Sequence, residues 1–298
     1  MSNHHQSYYR EPVLIAIMKS ISYTIHMDPA PAIGQVVRPP SGTQEWAIYN
    51  VNIQDGCEHD CHYCYAKSMA IRFKRTTPTS WKHPRIRPRD LLRTFTKRAG
   101  RIMFPTAHDI TEQNLDACLD VLTRMLAVGN EVLIVSKPRL TCISCLCDRL
   151  NIFRDQILFR FSIGSTDNSI LSLWEPGAPS YDERLASLQF ACARKYRTSV
   201  SGEPMLDSNP DALIAAVRPY VTDSVWLGKI NRLRHILPIN CPNNQDVFHN
   251  GEALIKTQSC ANIRSLYNRY RRDPLIKWKD SIKSVLNLRR PTALGQDL

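Results

Sequence analysis

The sequence predicts a parallel α/β fold, on three observations. Between Trp46 and Gly228, short strand-like runs alternate with helical patterns about six times. Strand, helix, strand, helix implies parallel pairing through right-handed crossovers. One run, Glu131–Val135, is apolar almost throughout, the mark of a sheet covered on both faces. The alternating stretch is about 185 residues long, whereas a closed eight-unit barrel takes about 250.

The elements follow in chain order. Residues 1–45 read as an irregular extension, because Pro29, Pro31, Pro39, Pro40, Gly34 and Gly42 break regular structure. Only Val13–Met18 has strand or helix character there. Trp46–Ile53 alternates and reads as a strand, and Tyr65–Lys74 as a helix. Arg89–Thr96 is a predicted helix with Pro88 at its start. Arg101–Phe104 is a short buried strand. Thr111–Val128 carries Leu115, Leu119, Leu122 and Met125 on one face, with Thr111 as N-cap and Gly129 as stop. After the strand Glu131–Val135 come helix Leu140–Leu150, strand Ile157–Ser162, helix Ser180–Tyr196, strand Arg197–Val200, helix Asp211–Val217 and a final strand Ser224–Leu227. No repeat recurs at a fixed period. Three segments result: an extension (1–45), a core domain (46–232) and a basic, mostly helical C-terminal segment (233–298).

The chain has 298 residues, a net charge of +12 and 43% hydrophobic residues, an ordinary globular share. No apolar run approaches the roughly 20 residues of a membrane span, and no signal-peptide pattern follows Met1. The reading is cytoplasmic, so the 10 cysteines are metal ligands or buried thiols rather than disulfides. Basic residues gather at Arg72–Arg101 and Arg264–Arg290. In the second cluster, Tyr267, Tyr270 and Trp278 interleave with arginine and lysine, which suits phosphate contact plus base stacking. The same stretch also reads as an amphipathic helix closing the barrel edge, through Ile263, Leu266, Tyr267 and Tyr270.

The chemistry centres on Cys57, Cys61 and Cys64, spaced C-x3-C-x2-C behind Gly56. Three thiolates serve three irons of a cubane and leave the fourth open, unlike ferredoxin runs with four cysteines. Zinc is the alternative, with His59 or His62 as a fourth ligand. The run Gly-Cys-x3-Cys-x-Tyr-Cys-Tyr-Ala over 56–66 resembles the radical S-adenosylmethionine (radical SAM) superfamily, in the branch that contains spore photoproduct lyase. That resemblance implies a 4Fe–4S cluster on Cys57, Cys61 and Cys64, and SAM chelated at the open iron. It implies reductive cleavage of SAM to a 5′-deoxyadenosyl radical that abstracts hydrogen from substrate. It also implies an open, partial (β/α)6 barrel of TIM type, whose gap admits large substrates, and a reducing partner such as flavodoxin or ferredoxin.

Further positions follow from the same likeness. In closed barrels the active site lies at the C-terminal ends of the strands. Thr106 stands where the family binds the methionyl amine, although Pro105–Asp109 departs from the usual Gly-Gly-Glu turn. His108 and Asp109 either shape the substrate side or belong to a turn. Ser136 and Lys137 resemble a Ser-Lys pair that contacts SAM in this branch, and an ammonium suits a carboxylate. Glu-Pro-x-Ala-Pro-Ser-x-x-x-Arg-Leu over 175–185 also resembles the branch. There Arg184 is expected to take the SAM carboxylate, with Ser162 on the same group or the ribose. Tyr63 and Trp226 are candidates for adenine, and Glu203 and Lys229 for substrate or ribose hydroxyls. Cys142, Cys145 and Cys147 do not share one helix face, which argues against a second cluster. No catalytic residue is assigned. Nucleic acid is the substrate class that charge and kinship favour. A nucleic-acid-binding protein with a structural metal, and a peptide-modifying radical SAM enzyme, are the alternatives.

Overall fold

Residues 39–296 are described by the computed structural model; the expected feature at Val13–Met18 lies outside them. Among the described residues nine strands run β1 (Tyr49–Asn50), β2 (Gln54–Asp55), β3 (Arg85–Ile86), β4 (Ile102–Phe104), β5 (Val132–Ser136), β6 (Ile157–Ser162), β7 (Arg197–Gly202), β8 (Val225–Leu227) and β9 (Ile276–Trp278). Seven form one sheet in the order β1-β4-β5-β6-β7-β8-β9, and every adjacent pair is parallel. The sheet is not closed: β1 and β9 are its edges, the form of a partial TIM-type barrel. β2 and β3 make a separate antiparallel pair.

Side chains alternate across the strands, so β4, β5, β6 and β8 each feed two cores. Ile102, Phe104, Val132, Ile134, Phe159, Phe161 and Leu227 pack outward in the large core that includes Leu119, Leu122 and Leu188 of the covering helices. Met103, Leu133, Leu158 and Trp226 join Trp46 in a small core of their own. β5 is apolar on both sides for this reason.

Several elements differ from the sequence prediction. Only two residues of Trp46–Ile53 are paired in β1, because Trp46, Ala47, Val51 and Ile53 turn into the interior instead. The helix expected at Arg89–Thr96 is one turn, Pro88–Leu91; Leu92 beyond it is 82% exposed and has no face to bury. The next helix begins at Leu115 rather than Thr111. Asn114 accepts from Thr111 N at 2.9 Å and donates to Asp109 O and Gln54 Oε1, a side-chain turn that displaces the first helical turn. Helix Asn168–Trp174, capped by Asp167, stands in a stretch to which the sequence reading assigns no element.

The largest difference is at the C-terminal end. The segment after 232 is mostly helical, as expected, over Leu233–Asn240, Gln245–Thr257, Cys260–Tyr270 and Asp280–Leu286. It also contributes β9, a seventh parallel strand. Lys279, directly after β9, reaches Glu45, just before β1, at 2.8 Å, and Lys283 reaches the other oxygen of Glu45 at 2.8 Å. All three side chains are buried. These pairs bridge the two edges of the sheet, where the resemblance implies an open gap.

Candidate functional site

A cavity of about 670 Å³ opens at the C-terminal ends of the strands. It is lined by Pro105, Thr106 and Ala107 after β4, Lys137 after β5, Ser162 on β6, Ser201 and Glu203 at β7, Lys229–Asn231 after β8 and Asp280 after β9. Cys57, Cys61 and Cys64 border the same cavity, as does Tyr63.

The cysteine loop is held from several sides. Gly56 adopts φ +84°, and a Cβ there would lie 2.6 Å from Trp81 O. Glycine is therefore required at that turn. Cys57 N donates to Trp81 O at 3.0 Å and His62 N to Trp174 O at 2.9 Å. Gly177 N donates to His59 O at 3.1 Å. Asn240 Nδ2 donates to both His62 O and Cys64 O at 2.9 Å. Asp60, at φ +47°, pairs with buried Lys67 at 2.6 Å. Cys64 caps helix Tyr65–Arg72, its sulfur accepting from Lys67 N at 3.4 Å.

Asp109 is the hub beside the loop. Its Oδ1 accepts from Ser136 Oγ at 2.9 Å and Lys137 N at 2.6 Å, and its Oδ2 faces His59 Nδ1 at 2.9 Å. Lys137 Nζ stands 3.7 Å away. Burial alone would raise the Asp109 carboxyl, but Lys137 and His59 outweigh it and hold it well below the usual range. His108 is structural: Nε2 accepts from Ile53 N at 3.2 Å, so Nδ1 donates to Asp109 O at 3.0 Å. Burial lowers its pKa to about 4.

Of the other expected residues, Tyr63, Thr106, Lys137 and Ser162 border the cavity with the three cysteines. Thr106 is set by Asn52, whose Oδ1 accepts from Thr106 N at 2.7 Å and Ala107 N at 2.8 Å. Ser136, Arg184 and Trp226 do not border it. The Ser136 hydroxyl is taken by Asp109. Arg184 is fully buried: Nη2 meets Glu175 Oε2 at 2.6 Å, Nε donates to Pro179 O and Nη1 to Ser162 O. Its guanidinium is thus not free to take a ligand carboxylate. Trp226 sits inside the barrel against Trp46, ring centroids 5.6 Å apart. Trp46, rather than Trp226, reaches the cavity wall. Asn52, Asn240 and Glu175 were not singled out as site residues. Asn52 and Asn240 carry no local motif, whereas Glu175 opens the quoted Glu-Pro run.

The donor set fits an iron–sulfur cubane. Burial raises the thiol pKa of Cys57, Cys61 and Cys64, so these sulfurs ionise when a metal displaces their protons. Thiolates sharing one tetrahedral zinc stand about 3.8 Å apart. Among the described residues, the donors that all lie within 4.8 Å of one another are Cys57, His59 and Asp109, not the three cysteines. In the compact trio, the Asp109 oxygens are already engaged by hydrogen-bond donors, which argues against a closed zinc site.

No protein-family model matches the chain. An uncharacterised protein of Acidianus two-tailed virus, ORF301, is 24% identical over 176 residues, covering 55% of this chain and 57% of that protein. Among solved structures, spore photoproduct lyase complexed with dinucleoside spore photoproduct gives a TM-score of 0.50 at 17% identity, over 71% of this chain and 66% of that one. A tyrosine-to-phenylalanine variant of spore photoproduct lyase gives 0.51 at 16% identity, over 82% and 79%. The chain thus spans less than two thirds of the viral protein and of the lyase complex. At these identities the likeness is one of fold.

Proposed function

We propose that this chain is a radical SAM enzyme in which Cys57, Cys61 and Cys64 hold a 4Fe–4S cluster. The observation that carries the reading is that all three cysteines border one cavity at the C-terminal ends of an open parallel barrel. When bound, the cluster supplies a low-potential electron and one open iron for the amino and carboxylate groups of SAM. The protein's part is to bind and orient. Lys137 offers an ammonium to the methionyl carboxylate, and Thr106 and Ser162 offer hydrogen bonds nearby. Tyr63 and Trp46 give the adenosine an aromatic wall. Substrate then meets the polar side made by Glu203, Lys229, Asn231 and Asp280. These residues would hold the substrate beside bound SAM, whose cleavage would supply the hydrogen-abstracting radical.

The substrate class we favour is nucleic acid. Arg264 on helix Cys260–Tyr270 and Arg271 and Arg272 just after it are exposed, on a chain of net charge +12. Anaerobic reconstitution tests the reading: SAM plus dithionite should release 5′-deoxyadenosine. Deuterium transfer into that product from labelled DNA or RNA fragments would identify the substrate, and no release at all would contradict the proposal.

A second reading is a nucleic-acid-binding protein with a structural metal. The observation that favours it is the buried His59 Nε2, which has no hydrogen-bond partner among the described residues. A colourless protein carrying one zinc would support it.

A further inference from the structure

Resting on that reading, the chain needs one electron for each SAM cleaved, and one face of the molecule is built to receive its carrier. Helix Tyr65–Arg72 starts at the candidate ligand Cys64. Ala66, Lys67 and Ala70 on its inner side are buried. Tyr65, Met69 and Phe73, at i, i+4 and i+8, line its outer side and are 54%, 39% and 65% exposed. A surface helix ordinarily turns polar groups to water. Here Met69 and Phe73 face outward instead, while Tyr65 lies at the cavity rim, its hydroxyl donating to Thr106 O at 3.0 Å.

The sequence that carries this helix and follows it is basic. From Tyr65 to Arg89 there is no Asp or Glu. Arg72, Lys74, Arg75, Lys82, Arg85 and Arg89 are all exposed, and none forms an ion pair among the described residues. The underside of this face touches the candidate ligands. Trp81, 4% exposed, packs with Cys57, Cys64, Ala66 and Ala70, and its carbonyl accepts from Cys57 N.

We propose that this face docks a small acidic one-electron carrier protein of the flavodoxin or ferredoxin class. Weak electron-transfer encounters use small interfaces, and complementary charge steers them. Acidic groups on the carrier would meet the arginines and lysines, and its apolar centre would meet Met69 and Phe73. One electron leaves the reduced carrier, which is oxidised. SAM accepts it and its sulfur–C5′ bond breaks, giving methionine and the 5′-deoxyadenosyl radical. A nucleic-acid strand fits this face less well. Tyr65 and Phe73 stand about 12 Å apart along the helix, farther than neighbouring stacked bases, with a methionine rather than a ring between them.

The test titrates the full chain, with and without reconstituted cluster, against oxidised flavodoxin and oxidised ferredoxin by calorimetry at low and raised salt. At least one carrier should bind, more weakly as salt rises. Combined Arg72→Glu, Lys74→Glu and Arg75→Glu should weaken it by about tenfold or more, and Phe73→Ala should weaken it severalfold. Dithionite-driven release of 5′-deoxyadenosine should be the same in parent and variants, because dithionite bypasses docking. Unchanged affinity in the charge-reversed variant overturns the proposal. So does a face that binds a single-stranded oligonucleotide but neither carrier. Absence of dithionite-driven release in the parent counts against the enzyme reading instead, so the two failures are distinguishable.

Discussion

Glu175 and Arg184 form an ion pair from which water is excluded, Oε2 to Nη2 2.6 Å, with side chains 2% and 0% exposed. The other carboxylate oxygen accepts the Tyr63 hydroxyl, and Arg184 also donates to the Ser162 carbonyl. The cysteine loop is therefore tied to the end of β6 through one buried carboxylate. Burial would raise the Glu175 pKa, but Arg184 and Lys137 outweigh it and keep the group ionised. Glu175→Ala strands the guanidinium and should cost about 3–5 kcal/mol. Tyr63→Phe, which leaves the pair intact, should cost only about 1 kcal/mol. Urea denaturation of the two variants checks the ranking, and equal costs would contradict it.

Glu45 takes two buried ammonium groups, those of Lys279 and Lys283, across the open edge of the sheet. Glu45→Ala should destabilise by about 3–5 kcal/mol, and hydrogen exchange should rise first in β1 and β9. Exchange that rises uniformly would show that the pairs do not hold this edge.

Gly177 lies under the cysteine loop, where a Cβ would stand 2.1 Å from Glu58 O. Gly177→Ala must push that backbone away. Expected are a loss of about 1–3 kcal/mol and less iron retained per chain after reconstitution. Full iron content in a folded variant would mean that the loop tolerates the shift.

His108 gives a pH dependence. Burial lowers its pKa to about 4, against an ordinary value of 6.5. The unfolded chain therefore binds the proton first, so this contribution is complete above about pH 6.5 and is lost as pH falls toward 4. The loss amounts to about 3 kcal/mol. Urea midpoints of the metal-free chain across that range should fall less steeply in His108→Gln, and identical slopes would remove His108 from the account.

How much was legible in the sequence follows from where each signal is local. The cysteine spacing and the apolar runs of β4, β5 and β6 are contiguous, so they read directly. β9 has only Ile276 and Trp278 buried around Lys277, three residues set between basic stretches, too short for a period-2 signal. Arg184 was read as a ligand contact because its motif was visible while its partner was not. Glu175 is nine residues earlier, and only the fold brings the two together. Ser136 and Trp226 are alike in this: both stand near strand ends, and their contacts with Asp109 and Trp46 come only from the fold.

The central claim is that three sulfurs leave one iron open beside the cavity. Electron paramagnetic resonance of the anaerobically reconstituted, dithionite-reduced protein tests it most directly, recorded before and after adding SAM. The account predicts a reduced 4Fe–4S signal whose line shape changes when SAM binds. A signal indifferent to SAM, or protein that holds zinc and gives no signal, would contradict it.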